Sequence, residues 1–242
     1  MRTVRIYQPG TYTCGQSIEL SATASQHVAV VLRMQPGEQL TLFCGDNQEF
    51  SARITHIHKK HVSVEIQTVN PVNRESPCAI HLVQGIIKGD RMEWVIQKAV
   101  ELGVTHISPV LTQHSAIKHD LERLQKKHNQ WQAIAISACE QSGRNYIPSI
   151  AKPCTLPEYF QTPITTDRWI LDPYATENIR DSITPTPAIT LLIGPEGGFH
   201  QDEMEQAKAL DFKPISLGPR TLRAETASIV ALSVLQAVAG DL

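Results

Sequence analysis

Hydrophobic and polar residues alternate through the first third of the chain, which is the pattern of β-strands with one buried face. The pattern predicts strands at residues 2–7, 39–44, 48–54 and 62–66. Gly45-Asp46-Asn47 predicts a hairpin turn, and Lys59-Lys60 predicts the turn that brings residues 62–66 opposite 54–57. One short helix is expected from Ser25 to Met34. Several short strands at close spacing favour a small β-barrel.

After residues 68–77, whose composition is typical of a connecting segment, the pattern changes from consecutive strands to alternating strands and helices. Apolar strands are predicted at 79–87, 106–111, 169–171, 189–193 and 214–217, and helices at 90–102, 120–141, 201–210 and 225–239. Asp90 is expected to cap the first helix, and the proline-rich residues 145–166 are expected to form a loop. This alternation predicts an α/β domain. The last helix is apolar on nearly every side, which indicates burial in the domain or in a subunit interface.

The composition argues against several classes of protein. No apolar run approaches the roughly 20 residues that a membrane span needs, and the first residues do not resemble a secretion signal. The five cysteines are widely spaced, so we expect reduced thiols in a cytoplasmic protein rather than disulfides or a zinc knuckle. The net charge of the 242 residues is −2. Because proteins that bind bare nucleic acid by charge alone are usually basic, an RNA partner would need a local patch or a preassembled ribonucleoprotein surface.

Two glycine-containing segments follow predicted strand ends: residues 191–199 (LLIGPEGGF) and residues 217–227 (LGPRTLRAETA). In open α/β sheets, ligands bind beyond the carboxyl ends of the strands, and glycines there let the backbone approach a ligand closely. The alternative for the first segment is a tight connection without a ligand, and for the second a helix cap with solvated charges. The spacing matches neither a dinucleotide-binding glycine motif nor a P-loop.

Other polar clusters carry weaker signals. Glu140 and Arg144 are four residues apart at the end of the long predicted helix and can form an ordinary surface pair. His56, His58 and His61 suggest a metal cluster, but no acidic or cysteine partner lies nearby, so exposed histidines are the favoured interpretation. Lys59-Lys60 is predicted to be a solvated turn, although it could contact phosphate.

Taken together, the motifs resemble the bacterial small-subunit ribosomal RNA uridine-N3 methyltransferases, a family of the SPOUT superfamily. The specific matches are residues 193–199 and 217–227. Residues 98–104 (KAVELGV) and 140–144 (EQSGR) match further motifs, and residues 27–37 match less specifically. The matches span nearly the whole chain in the family's order. Thr221 departs from the family, in which an apolar β-branched residue is common at this place.

The resemblance implies a fold and a reaction. It implies a PUA-like RNA-binding β-barrel at residues 1–70, a linker at 71–78, and a SPOUT methyltransferase domain at 79–242, which is α/β with a mainly parallel sheet and a C-terminal trefoil knot. Knots are rare, and the order of predicted strands and helices does not by itself predict one. The implied cofactor is S-adenosyl-L-methionine, converted to S-adenosyl-L-homocysteine without a metal. The implied partners are the 16S rRNA of the small ribosomal subunit, methylated at N3 of a decoding-region uridine, and a second copy of the chain in a homodimer, with no membrane.

The resemblance also implies roles for individual residues. The cofactor-binding candidates are Leu171, Ile193, Gly194, Pro195, Glu196, Gly197, Gly198, Leu217, Gly218, Leu222, Arg223 and Ala227. Removal of the N3 proton requires a base or a group that stabilises the deprotonated ring. The candidates are Arg144 for stabilisation and Glu196 or Glu225 as base or as loop anchors, a choice that the sequence leaves open. The RNA-binding candidates are Arg2, Arg5, Arg33 and Arg144.

Three alternative functions remain. The first keeps the fold and changes the target, to a transfer RNA or a ribose 2′-hydroxyl. The second is a non-catalytic RNA-binding ribosome-assembly factor, which the intact pocket motifs disfavour. The third is an unrelated α/β nucleotide binder, which the absent phosphate motifs make the weakest of the three.

Overall fold

The computed structural model describes residues 4–115 and 121–242. Its internal contacts divide the chain into two compact units. The first unit consists of the residues through Glu75 together with Cys139–Ile147, and the second of Ser76–Ala138 and Pro148–Leu242. None of the described helices is long and apolar enough to cross a membrane.

The first unit is built on a five-stranded sheet in the order β1-β3-β4-β5-β2. Its strands are β1 (Arg5–Tyr7), β2 (Ser17–Glu19), β3 (Gln39–Phe43), β4 (Gln48–His58) and β5 (His61–Pro71). The predicted hairpin between β3 and β4 and the predicted pairing of β4 with β5 are confirmed, with Ile54 opposite Val64. Alternate residues of these strands, such as Phe50, Ala52 and Ile54, are buried in one apolar core.

The helix of this unit begins earlier than the sequence pattern suggests. The predicted start at Ser25 is wrong, because the Ser21 side chain accepts a hydrogen bond from the Ala24 N–H and caps a helix α1 at Ala22–Gln26. A π-helical turn at His27–Val31 follows, and it leaves Val31 largely exposed.

The second unit alternates strands and helices, as predicted. Its strands are β6 (Ala79–Gly85), β7 (His106–Leu111), β8 (Ser149–Ile150), β9 (Cys154–Thr155), β10 (Asp167–Leu171), β11 (Ala188–Ile193) and β12 (Lys213–Ile215). Its helices are α2 (Asp90–Glu101), α3 (Leu121–Ser142), α4 (Leu156–Tyr159), α5 (Ile179–Ser182), α6 (Gln201–Ala209) and α7 (Ala224–Ala239). The last four residues of α3 belong to the first unit, and Asp120, the predicted start of α3, lies outside the described residues.

Every described strand pair of this unit is parallel, in the order β12-β10-β11-β6-β7-β8, with β9 also paired to β7. The predicted parallel α/β sheet is therefore confirmed. The order places the carboxyl ends of β10, β11 and β12 side by side. Such an edge is where α/β proteins bind ligands, because the loops that leave neighbouring strands converge there.

Two local predictions for this unit are wrong. Residues 145–166 are not a continuous loop, because they contain β8, β9 and α4, and α4 is fixed by a capping box between Thr155 and Glu158. Asp90 does not cap α2; it is the first helical residue, and the cap position is Gly89 with no side-chain hydrogen bond.

Candidate functional site

A cavity of about 570 Å³ opens at the carboxyl ends of β10, β11 and β12. The loops that follow these three strands form most of its wall. One side of α6 and the start of α7 complete the lining. The lining residues are Leu171, Asp172, Pro173, Tyr174, Ile193, Gly194, Glu196, Gly197, Gly198, Phe199, Gln201, Met204, Lys208, Ile215, Leu217, Gly218, Arg220, Thr221, Leu222, Ala224 and Ala227.

Two buried polar side chains, Gln84 and Ser228, lie next to the turn after β11. The Ser228 hydroxyl of α7 donates to the Gln84 side-chain oxygen at 2.6 Å, and the Gln84 amide nitrogen lies 3.5 Å from the Gly194 carbonyl oxygen. Both side chains are fully buried. Buried polar groups of this kind are costly to leave unpaired, so the pair joins α7 to the end of β6, where the Gln84 amide also donates to the Gly85 carbonyl at 3.0 Å.

Two glycines make the geometry of this turn possible. A Cβ atom on Gly85, at the end of β6, would lie 2.6 Å from the Pro195 nitrogen, so β6 can approach the turn only without a side chain. Gly198 closes the turn with φ of +67°, a left-handed conformation that favours glycine, and its N–H donates to the Pro195 carbonyl at 2.9 Å.

An arginine that the sequence did not single out links the two candidate bases. Arg91 Nη2 lies 2.7 Å from Glu196 Oε1, and Arg91 Nη1 lies 4.0 Å from Glu225 Oε2. The Lys88 N–H also donates to Glu196 Oε1, at 3.2 Å. Within the described residues, the buried Oε2 atom of Glu225 accepts no hydrogen bond. The two carboxylates therefore differ: Glu196 accepts hydrogen bonds from two donors, whereas Glu225 Oε2 accepts none and has the Arg91 guanidinium 4.0 Å away.

Arg144 lies in the first unit and is almost completely buried. Its guanidinium forms an ion pair with Glu75, with Nε 3.1 Å from Oε1 and Nη2 bonded to Oε2. Arg5 is likewise bonded to Glu49, and it donates to Asn145 Oδ1 at 2.6 Å. Burial tends to raise the pKa of Glu49, but hydrogen bonds from Arg74 and Arg5 outweigh it and hold that pKa below its usual value.

The structure brings most of the predicted cofactor-binding residues together. All of them line the cavity except Pro195, which is buried behind the turn, and Arg223, which is exposed at the N-cap of α7. Glu196 is in the lining, whereas Glu225 lies between the lining residues Ala224 and Ala227. Arg33 is exposed in the first unit, and Arg2 lies outside the described residues. No group of three His, Cys, Asp or Glu side chains in the described part of the chain is arranged to hold a metal.

Several lining residues were not predicted. Tyr174 is 91% exposed on the loop after β10, where an Asx turn bonds its N–H to the Asp172 carboxylate at 2.9 Å. The loop itself follows Leu171, a predicted cofactor-binding residue, but Tyr174 was not singled out. Met204 and Lys208 lie one turn apart on α6 and face the cavity, but no motif marks them.

The chain matches known RNA-modifying proteins over nearly its full length. Residues 74–236 match the model of an RNA methyltransferase domain, and residues 20–67 match an RNA methyltransferase PUA domain. A protein of Buchnera aphidicola named ribosomal RNA small subunit methyltransferase E is 38% identical over 242 residues, covering 100% of this chain and 98% of that protein.

Solved structures agree with these matches. A putative methyltransferase from Legionella pneumophila, in complex with the bound cofactor SAM, is 52% identical, with a TM-score of 0.97 and full coverage of both chains. A ribosomal RNA small subunit methyltransferase E from Neisseria gonorrhoeae, bound to S-adenosyl methionine, is 36% identical, with a TM-score of 0.92 and full coverage of both chains. With a PUA domain and a parallel α/β domain each matched in place, this chain belongs to the family of RNA methyltransferases.

Proposed function

We propose that this protein transfers a methyl group from S-adenosyl-L-methionine to N3 of a uridine in small-subunit ribosomal RNA. The observation that carries the proposal is the cavity at the ends of β10, β11 and β12, where both segments that resemble the uridine-N3 methyltransferases contribute to the lining. The names of the Buchnera and Neisseria relatives support the same class of RNA.

The cavity suits the proposed cofactor in shape and in chemistry. Its volume of about 570 Å³ lies within the range of pockets that enclose a small ligand. Leu171, Ile193, Leu217 and Leu222 offer apolar walls for adenine and for the thioether region, while the 194–198 turn exposes backbone groups. S-adenosylmethionine supplies a methyl group already activated by its sulfonium, so the protein has to bind and align the reactants.

Glu225 is our proposed acceptor for the uridine N3 proton. Its Oε2 atom accepts no hydrogen bond from the described residues, with Arg91 Nη1 4.0 Å away, so this oxygen is available to take up a proton. Glu196 instead receives the Arg91 side chain and the Lys88 N–H, which supports a role as an anchor of the 194–198 turn. We expect Glu225→Gln to lower kcat by about 10²- to 10⁴-fold with little change in cofactor affinity. Equal activity in Glu225→Gln and wild type would remove this assignment.

Arg144 is proposed to hold a uridine oxygen or an adjoining phosphate through its planar guanidinium. Because it is paired with Glu75, binding of RNA would have to share or exchange that contact. Methyl transfer by Arg144→Ala within a few-fold of wild type would show that the role is wrong. For RNA docking, exposed Arg33 is a better candidate than Arg5, whose charge is already balanced by Glu49.

The quaternary and topological expectations belong to the same proposal. Helices α2 and α7 pack against each other, and each carries an exposed apolar side chain: Trp94 of α2 is 43% exposed and Val230 of α7 is 36% exposed. These exposed side chains support a homodimer. The placement of β12 beside β10, on the side away from β11, is compatible with a trefoil knot. We also propose that the protein acts in the cytoplasm, where ribosomal subunits are assembled.

Transfer of labelled methyl from S-adenosylmethionine tests the reaction. Small ribosomal subunits without the endogenous modification should accept label, while transfer RNA and large subunits should not. Label on transfer RNA alone would favour a methyltransferase of the same fold that acts on transfer RNA. Absence of both label and calorimetric cofactor binding would favour an assembly factor.

A further inference from the structure

The far end of the β4–β5 hairpin carries an unusual concentration of basic and aromatic side chains. Residues 56–61 read His-Ile-His-Lys-Lys-His, and no acidic residue occurs between Thr55 and Val62. All of these residues except Ile57 are exposed. Lys59 has a φ of +56°, so a tight turn presents the two lysines at the tip. We call residues 56–61 the hairpin tip.

The histidines of the hairpin tip are arranged on its outer face. Ile57 and Val62 are paired on the inner face and pack with the core of the unit, so His56 and His58 point outward. The His56 and His58 rings lie 6.4 Å apart and nearly parallel, with an interplanar angle of 9°. His61 stands opposite His58, with its Nδ1 atom 2.5 Å from Glu19 Oε1. The tip therefore presents two ammonium groups beside two parallel aromatic rings.

Three arginines of the first unit form ion pairs with carboxylates. Arg5 and Arg74 both bind Glu49, and Arg144 binds Glu75. Arg53 is the register partner of Glu65 across the β4–β5 ladder, and Arg33 is a separate exposed cation. The protein as a whole has a net charge of −2, so general electrostatic attraction cannot bring it to RNA. A local basic patch is one way to bind RNA despite this charge, and the hairpin tip places two adjacent lysines on an exposed turn of this unit.

We propose that the hairpin tip is the surface through which the first unit binds the phosphate backbone of the RNA substrate. Lys59 and Lys60 would contact phosphates, and the exposed rings of His56 and His58 would stack against or hydrogen-bond an adjoining nucleotide. This inference rests on the proposed function and deepens it, because it names the docking surface on the substrate RNA. It assigns this surface to a turn that carries no part of the cofactor cavity.

Salt dependence separates this role from a purely structural one. Each phosphate contact contributes about 0.7 to 0.9 to the slope of log affinity against log salt concentration. Lys59→Asn with Lys60→Gln should therefore reduce that slope by about 1.4 to 1.8. If the lost contacts are ionic, the Kd for small-subunit ribosomal RNA should rise by up to about 25- to 60-fold at 0.1 M salt and converge with wild type near 1 M. Asparagine suits the left-handed conformation at position 59.

Two further variants serve as controls. Lys126→Gln with Lys152→Gln removes the same net charge from exposed positions of the second unit, and it should leave the slope unchanged. Lys59→Arg with Lys60→Arg keeps the charge and should retain the wild-type slope. Urea unfolding of all variants establishes that the fold is intact, and calorimetry with S-adenosylmethionine should give the same Kd for each.

The outcomes distinguish the docking surface from the reaction. A wild-type slope in Lys59→Asn/Lys60→Gln, or an equal loss in the second-unit control, overturns the proposal even if wild-type protein methylates RNA. A reduced slope confined to the tip variant supports it even if the methylated product is not 3-methyluridine. RNA binding by wild type that does not depend on salt also overturns it.

Discussion

Gly85→Ala tests whether the packing of β6 against the 194–198 turn sets the shape of the cofactor cavity. The added methyl group would lie 2.6 Å from Pro195 N and Cδ and 2.9 Å from the Gly194 carbonyl carbon. Non-bonded carbon atoms prefer separations of about 3.5–4.0 Å. The turn must therefore withdraw from β6 by roughly 1 Å, because Gly85 is fully buried in the sheet and cannot move outward.

Two consequences follow from this displacement. Overpacking of a buried site costs about 1–3 kcal/mol, which lowers the Tm of a chain of this size by about 2–4 °C for each kcal/mol. A shift of about 1 Å in a positioning element can also cost about 10²-fold in rate. We expect Gly85→Ala to weaken S-adenosylmethionine binding at least about tenfold and to reduce methyl transfer further.

Thermal unfolding and calorimetry with S-adenosylmethionine measure the two effects separately. Gly103→Ala is the matched control: its φ is +80° and its methyl group meets the Gln236 side chain at 2.6 Å, away from the cavity lining. It should lower the Tm without changing the Kd for the cofactor. Wild-type cofactor affinity in Gly85→Ala, or equal loss of affinity in both variants, would refute the reasoning.

Three further predictions concern stability. Ser228→Ala should cost about 1–3 kcal/mol in urea unfolding, because it leaves the buried Gln84 oxygen without its donor. Burial, with a smaller effect from His106, lowers the pKa of His81 to about 3. His81 is therefore protonated near pH 6.5 in the unfolded chain but only near pH 3 in the folded chain, so the free energy of unfolding should fall by on the order of a few kcal/mol between about pH 6.5 and 3. His81→Gln should flatten that part of the profile of Tm against pH, and a profile identical to that of wild type would contradict this role of His81. Glu75→Gln should destabilise the protein by about 3–5 kcal/mol in urea, because Arg144 stays buried without that carboxylate, and Arg144→Met in the same chain should restore part of the loss.

The strands and long helices could be predicted because their patterns are long enough to be periodic. The predicted bounds of the strand at residues 106–111 match β7. The strands within residues 145–166 have two residues each, too few for any periodicity, and their pairing with β7 is a property of the fold. The early start of α1 depended on one cap, Ser21, that the pattern did not emphasise.

Part of the candidate site could be predicted from glycine-containing motifs rather than from periodicity. Glycine-rich segments after strands indicate ligand loops, so the 194–198 and 217–222 segments could be brought together in advance. The ion pairs could not be predicted from the sequence, because Arg5 lies 44 residues from Glu49 and Arg144 lies 69 residues from Glu75. Arg5 and Arg144, which look like unpaired RNA contacts in the sequence, are each paired with a carboxylate in the structure, and Arg91 links Glu196 and Glu225.

Nucleoside analysis of methylated RNA tests the central claim most directly. Wild-type protein, labelled S-adenosylmethionine and unmodified small ribosomal subunits are incubated, and the ribosomal RNA is digested and separated by mass. We expect the label to be recovered as 3-methyluridine, and Glu225→Gln to give little of it. Label recovered as a 2′-O-methylated nucleoside or as methylguanosine, or no label despite measurable cofactor binding, would contradict it.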